Sequence, residues 1–180
     1  MAKGDERIVL GSGKVYMAEF TGTIPADATI ETETNRFGKI TGGATLEYKS
    51  TYVEVKDDLN TVSKVVVTDE EVLFKTGQLM VNGETFKKIT ATARVTEAAG
   101  VRTVKIGGLA NQDGKKYVIR FVHESETEGD IRVTIVGQNQ SGFTLSFKKD
   151  ANEPLNLEFK ALPNDTEGTL VILTEEIPVV

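Results

Sequence analysis

Lys116-Tyr117-Val118-Ile119-Arg120-Phe121-Val122-His123, followed by Asp130-Ile131-Arg132-Val133-Thr134-Ile135, is the stretch on which the reading of this chain turns. In the first run Tyr117, Ile119 and Phe121 alternate with Lys116, Val118 and Arg120. In the second, Ile131, Val133 and Ile135 alternate with Asp130, Arg132 and Thr134. Successive side chains of a strand point to opposite faces, so each run offers an apolar and a polar face. The same period continues in Phe143, Leu145, Phe147 against Thr144, Ser146, Lys148, and in Leu155, Leu157, Phe159 against Asn156, Glu158, Lys160. This pattern predicts antiparallel sheets covering a core on one side. Turn-forming residues separate the runs: Glu128-Gly129-Asp130, Gln140-Ser141-Gly142, and Asn164 to Gly168. Asp113-Gly114 leads into the Tyr117 strand. A last strand is expected over Thr169–Thr174, after which Ile177-Pro178-Val179-Val180 leaves the sheet, because proline cannot donate to a ladder.

Outward from there, the first half has a different texture. A strand near Lys14–Phe20 precedes a Thr-rich, irregular stretch from Gly22 to Phe37. Thr45–Lys56 reads as a long strand whose apolar phase changes between Tyr48 and Val53, which predicts a bulge near Ser50-Thr51. Val62–Thr68 and Glu71–Gln78 read as two strands, or as one long strand broken at Thr68-Asp69-Glu70. Asn82-Gly83-Glu84-Thr85 supplies helix-start residues, and Phe86 and Ile89 fall three apart. A short helix is expected from about Gly83 to Thr90, packed through those two side chains. Strands follow at Thr92–Thr96 and Val101–Ile106.

The chain has 180 residues, a length suited to one domain. It has no cysteine, which removes disulfides, thiolate zinc sites and a cysteine nucleophile and fits folding in a reducing cytoplasm. Ile8-Val9-Leu10 is interrupted at once by Gly11-Ser12-Gly13, so neither a signal peptide nor a membrane span is expected. The net charge is -6 with both signs interleaved, which argues against tight DNA binding, since that gains from counterion release by a basic surface.

Motifs for chemistry fail one by one. Gly11-Ser12-Gly13-Lys14 has Ile8 where a phosphate loop needs its first glycine and Val15 where it needs Ser or Thr. Tyr16 stands where a dinucleotide loop needs its third glycine. Asp150-x-Asn152 starts like a calcium loop, but Leu155 and Ala161 occupy the glycine and glutamate positions. His123 is the only histidine, on the face of Phe121 or at its strand's end; a packing or surface role is expected. Acidic groups at Asp57-Asp58, Asp69-Glu70-Glu71 and Glu124, Glu126, Glu128 read as solvated charges. No catalytic, cofactor or metal site is expected.

The second half resembles phage tail tube (major tail) proteins. The matching run is Lys116–His123 and Ile131–Ile135, then Ser141–Phe147, Leu157–Pro163 and Asp165–Leu170. In the first half, Glu71-Val72-Leu73-Phe74-Lys75-Thr76-Gly77-Gln78-Leu79 resembles the family's strand before its single helix. The likeness runs from about Gly42 to Glu175; Gly22–Phe37 carries no part of it. It implies a mostly β, antiparallel sandwich or barrel-like subunit with one short flanking helix, an extended N-terminal arm and a C-terminal tail. Six such subunits would close into a ring with one continuous inner barrel, and rings would stack into a tube through which DNA passes. The resemblance also implies an initiator at the tail tip or baseplate, a tape measure and a terminator as partners. It implies no cofactor and no membrane, and a place in the virion tail, assembled in the bacterial cytoplasm. The rival readings are another phage structural β-protein such as a capsid decoration protein, an extracellular ligand-binding sandwich, and a hydrolase on a β scaffold.

On the tail-tube reading, the loop Lys56–Val62 is either a ring-stacking contact, through Asp57, Asp58, Leu59, Asn60 and Thr61, or an ordinary solvated loop. Leu59 is apolar with no strand to pack in. The lumen wall is expected on polar strand faces, including Glu54, Glu71, Asp130 and Thr134, the alternative being that these residues face subunit interfaces or the outside. Lys56, Lys75, Arg120 and Arg132 share those faces, giving a mixed wall with a modest acidic excess.

Overall fold

The computed structural model describes residues 13–59, 63–78, 82–125, 129–149 and 154–177. The expected N-terminal arm and the last residues of the tail lie outside them. Strands dominate: β1 (Lys14–Glu19), β2 (Ile40–Lys56), β3 (Ser63–Gln78), β4 (Arg94–Ala98), β5 (Val101–Lys105), β6 (Tyr117–His123), β7 (Ile131–Asn139), β8 (Leu155–Ala161) and β9 (Val171–Glu175). The main sheet runs β1-β6-β7-β8-β3-β2, with β9 on the start of β7; β4 and β5 form a separate hairpin. All pairings are antiparallel. The main sheet does not close on itself, so the sandwich-like description holds and a closed barrel within one chain does not.

The principal core is built from the faces that the period of two picked out. Tyr117, Ile119, Ile135, Leu155, Leu157 and Phe159 join Val15, Met17, Val72 and Phe74 in one buried cluster. Phe159 meets Phe37 edge-on at 6.0 Å between ring centroids. The helix falls where expected, as α2 (Gly83–Ile89). Its capping box has Asn82 Oδ1 accepting from the Thr85 N–H at 3.1 Å and Thr85 Oγ1 accepting from the Asn82 N–H at 3.3 Å. Ile89 is buried in the core, and Phe86 lies 5.2 Å from Phe143 between centroids.

Two expectations change and one open alternative is settled. The central strands are covered on both faces, not one. Val118, Val122 and Val136 form a second cluster with Tyr16 and Ile30, roofed by the irregular stretch after β1. That stretch contains a one-turn helix, α1 (Asp27–Ile30), in addition to the one helix foreseen. Its return leg shields the outer edge of β1: Met17 N–H donates to Asn35 O and Phe37 N–H to Val15 O, each at 2.7 Å. Second, Phe143–Phe147 lies outside the ladders, although its sequence alternates like a strand. Phe143 is taken up by Phe86, and β7, which precedes it, already has β6 on one edge and β8 and β9 on the other. Third, β3 is one continuous strand, the second of the two alternatives. Among the described residues no helix is long and apolar enough to cross a membrane.

Candidate assembly surface

β2 and β3 pair over their whole length and run well past the core, making a two-stranded ribbon. The ladder has two irregularities. Between Thr41 and Ala44 two residues are extra, Gly42 and Gly43, at φ of 72° and 76°, a region that costs other residues a steric clash. The second lies between Thr51 and Tyr52, as the phase change predicted, but the extra residue belongs to the partner strand. Thr51 faces Asp69 and Tyr52 faces Val67, leaving Thr68 unpaired, its hydroxyl donating to Thr51 O at 3.2 Å. β2 therefore keeps its alternation, and its apolar residues really do change face.

The consequence is a ribbon with apolar side chains on both sides. One face continues the core outward from Phe74 and Val72 through Tyr48, Tyr52, Val67 and Val65. Tyr52 is 58% exposed and Val65 61% exposed. The opposite face carries Val53, Val55 and Val66, also exposed, near the tip. A lone two-stranded ribbon is marginal in water, and a contiguous exposed apolar patch marks a contact surface. The outer edge of β2 has no strand partner among the described residues. Unpaired N–H and C=O groups along an edge strand are a template for another chain.

Nearer the body, the face opposite the core is a lattice of charges. Lys75 bridges Glu47 at 2.7 Å and Glu158 at 3.2 Å, Lys49 reaches Glu47 at 2.8 Å, and Lys160 reaches Glu71 at 2.8 Å. Hydrogen bonds from Lys49 and Lys75 pull the Glu47 carboxyl down to about 2, and Lys160 lowers that of Glu71. On the core-side face, the Tyr48 hydroxyl donates to Glu70 at 2.6 Å.

The residues singled out in the sequence fall in different places. Asp57, Asp58 and Leu59 are at the ribbon's tip, with Leu59 80% exposed; Asn60 and Thr61 lie outside the described residues. Glu54 is exposed on the core-side face of the ribbon, paired with Lys56 at 3.2 Å, whereas Glu71 is on the opposite face. Asp130 sits at the start of β7 against Arg132 at 3.1 Å. Thr134 is corrected: it is 1% exposed and its hydroxyl accepts from Arg120 Nε at 2.9 Å, beneath α1, so it lines no open wall. Arg120 and Arg132 are buried with it.

Those two arginines form a clamp that the sequence reading missed. Arg120 pairs with Asp27 and with Glu31 at 3.1 Å. Arg132 donates to Glu31 at 2.8 Å, to Glu176 at 2.5 Å and to Asp130 at 3.1 Å. Hydrogen bonding to Glu31 and then Glu176 raises the Arg132 pKa further, and Arg132 in turn lowers the carboxyl of Glu176. The signal was available: Arg120 and Arg132 share faces with Val118, Val122 and Val136, and Asp27 and Glu31 are spaced one helical turn apart.

An open groove of about 750 Å³ lies beside Gly42 and Gly43, lined by Thr45, Lys75, Ser141, Asn156 and Glu158. His123 ends β6 opposite Ile131, away from that lining. Among the described residues no group of three or more His, Cys, Asp or Glu is placed to hold a metal. The fold and this surface define a class, an open antiparallel β-protein with a projecting, two-faced apolar ribbon. Compared with known families and curated proteins, the chain matches no family model and no curated sequence.

Proposed function

We propose that the chain is a structural subunit that assembles with copies of itself, as tail tube proteins do, into stacked hexameric rings enclosing a DNA passage. The observation that carries this reading is the β2–β3 ribbon, whose open edge and two apolar faces find no cover among the described residues. Burying Tyr52, Val53, Val55, Val65, Val66 and Val67 against neighbours is worth roughly 1.5–3 kcal/mol per fully buried side chain before association costs. An edge that pairs with a different surface of the next copy makes a heterologous contact, which closes into a ring when its rotation fits.

The tip suits a contact between rings: Leu59 projects beside Asp57 and Asp58 beyond the last paired residues, Lys56 and Ser63. With Arg120, Arg132 and Thr134 internal, the lumen surface is assigned to the charge lattice on β2, β3 and β8. There Lys49, Lys75 and Lys160 are each held by a glutamate. Neutralised cations give phosphates no basic track, so DNA slides past without strong counterion-release binding. Replacing Asp57–Thr61 by a short Gly-Ser turn should leave the monomer folded by circular dichroism and stop polymerisation in sedimentation. Normal tubes from that variant would refute the stacking role. Duplex DNA added to assembled tubes at low salt should keep its free mobility; tight, salt-sensitive retention would refute the assignment of the wall.

A further inference from the structure

We infer that the run Thr144-Leu145-Ser146-Phe147 of one subunit, anchored by Phe143 against Phe86 of its own chain, adds as a strand to the open edge of β2 in a second copy, alongside Tyr48–Tyr52; this rests on the self-assembly reading. The run has the alternation of a half-buried strand, yet it lies outside every ladder of its own chain formed by the described residues. Leu145 is exposed and Phe147 is 93% exposed, an unusual cost for a large aromatic side chain in a subunit meant to stay alone. β2 has the complementary deficit, a long edge with no strand beside it among the described residues.

The two match on both faces. Along this part of the ribbon one face presents Tyr48, Ser50 and Tyr52 with Glu70 and Val67, and the other presents Lys49, Thr51 and Asp69. An added strand with Ser146 facing Thr51 puts Leu145 and Phe147 on the face of the tyrosines, one opposite Tyr52 and the other opposite Ser50, and puts Thr144 and Ser146 on the face of Thr51. A slip by one residue would place Phe147 among Lys49 and Asp69, so the faces fix the register. Because the run and the edge are different surfaces, each subunit keeps one of each to offer, and the contact propagates from copy to copy until it closes.

The chain contains no cysteine, so a Ser146→Cys, Thr51→Cys variant reports the contact cleanly. Both positions lie on the polar row, and residues facing each other across a strand pair come within disulfide reach. Oxidised at assembling concentration, it should give a ladder of covalent oligomers on a non-reducing gel, while each single-cysteine variant stops at dimers. Leu145→Ser with Phe147→Ser should raise the concentration for half-assembly about a hundredfold and leave the monomer's Tm unchanged. Wild-type protein that assembles while the cysteine pair yields only monomers, or while the serine variant assembles at the wild-type concentration, would overturn the inference and leave self-assembly standing. Wild-type protein that stays monomeric throughout would overturn the self-assembly reading, and this contact with it.

Discussion

Arg132 gathers Glu31, Asp130 and Glu176 from three separate parts of the chain, and with Arg120 it pins α1 and the end of β9 to the central strands. Removing a buried cation leaves its carboxylates uncompensated, so Arg132→Ala should cost about 3 kcal/mol in urea denaturation. A loss too small to measure would mean the clamp does not hold the fold. Glu176 has its carboxyl lowered by Arg132 and by the Asp130 N–H. Its folded pKa is below its unfolded one, so its contribution is present above the ordinary glutamate range and is lost as pH falls through the folded value. The urea midpoint should drop between pH 6 and pH 3, and the drop should shrink in Glu176→Gln; an equal drop in that variant would assign the pH dependence to other carboxylates. Ala99 offers a gain instead. It sits at φ 50° beside Gly100 at φ 77°, in the two-residue turn between Ala98 and Val101, a turn that favours Asn-Gly. Ala99→Asn should stabilise the protein by about 0.5–1 kcal/mol on the same assay, and a destabilised variant would contradict the turn assignment. Residue roles were the least legible part of the sequence, because Arg120 and Thr134 look solvent-facing until a distant segment covers them.

Elements were more legible, and the misses have physical causes. Period-two runs located the strands through Tyr117–His123, Ile131–Ile135 and Leu155–Phe159, since local alternation reflects which face is buried. The capping pair Asn82 and Thr85 placed α2 within a residue. Phe143–Phe147 defeated the same rule: alternation reports that a segment suits a strand, not that its own chain supplies a partner. The stretch after β1 had no period to read, since it covers the second cluster through single side chains such as Ile30. The phase change in β2 fell beside a bulge without being caused by it: β2 keeps its alternation, and the extra residue, Thr68, belongs to β3. Deleting Thr68 restores a regular ladder without turning any neighbouring side chain to the opposite face. The variant should therefore keep the monomer's stability within about 0.5 kcal/mol while losing the bulge's extra twist, so that assembly is weakened. Urea denaturation and sedimentation together check this; a destabilised monomer would mean that the bulge is needed by the fold rather than by the contact.

At the scale of the whole molecule, the arrangement is asymmetric. β6 and β7 are covered on both faces, whereas among the described residues the ribbon extends from this body with its edge and both faces open. On assembly this difference should vanish. Amide hydrogen exchange, followed residue by residue in dilute protein and in the same protein concentrated or seeded, tests that most directly. β6 and β7 amides should be protected in both samples, while those amides of Lys49–Lys56 in β2 that point away from β3 should exchange rapidly when dilute and become protected when concentrated, with rings or tubes visible by electron microscopy. A β2 that exchanges at the same rate in both samples, from a protein that remains a compact monomer at every concentration, would contradict the account.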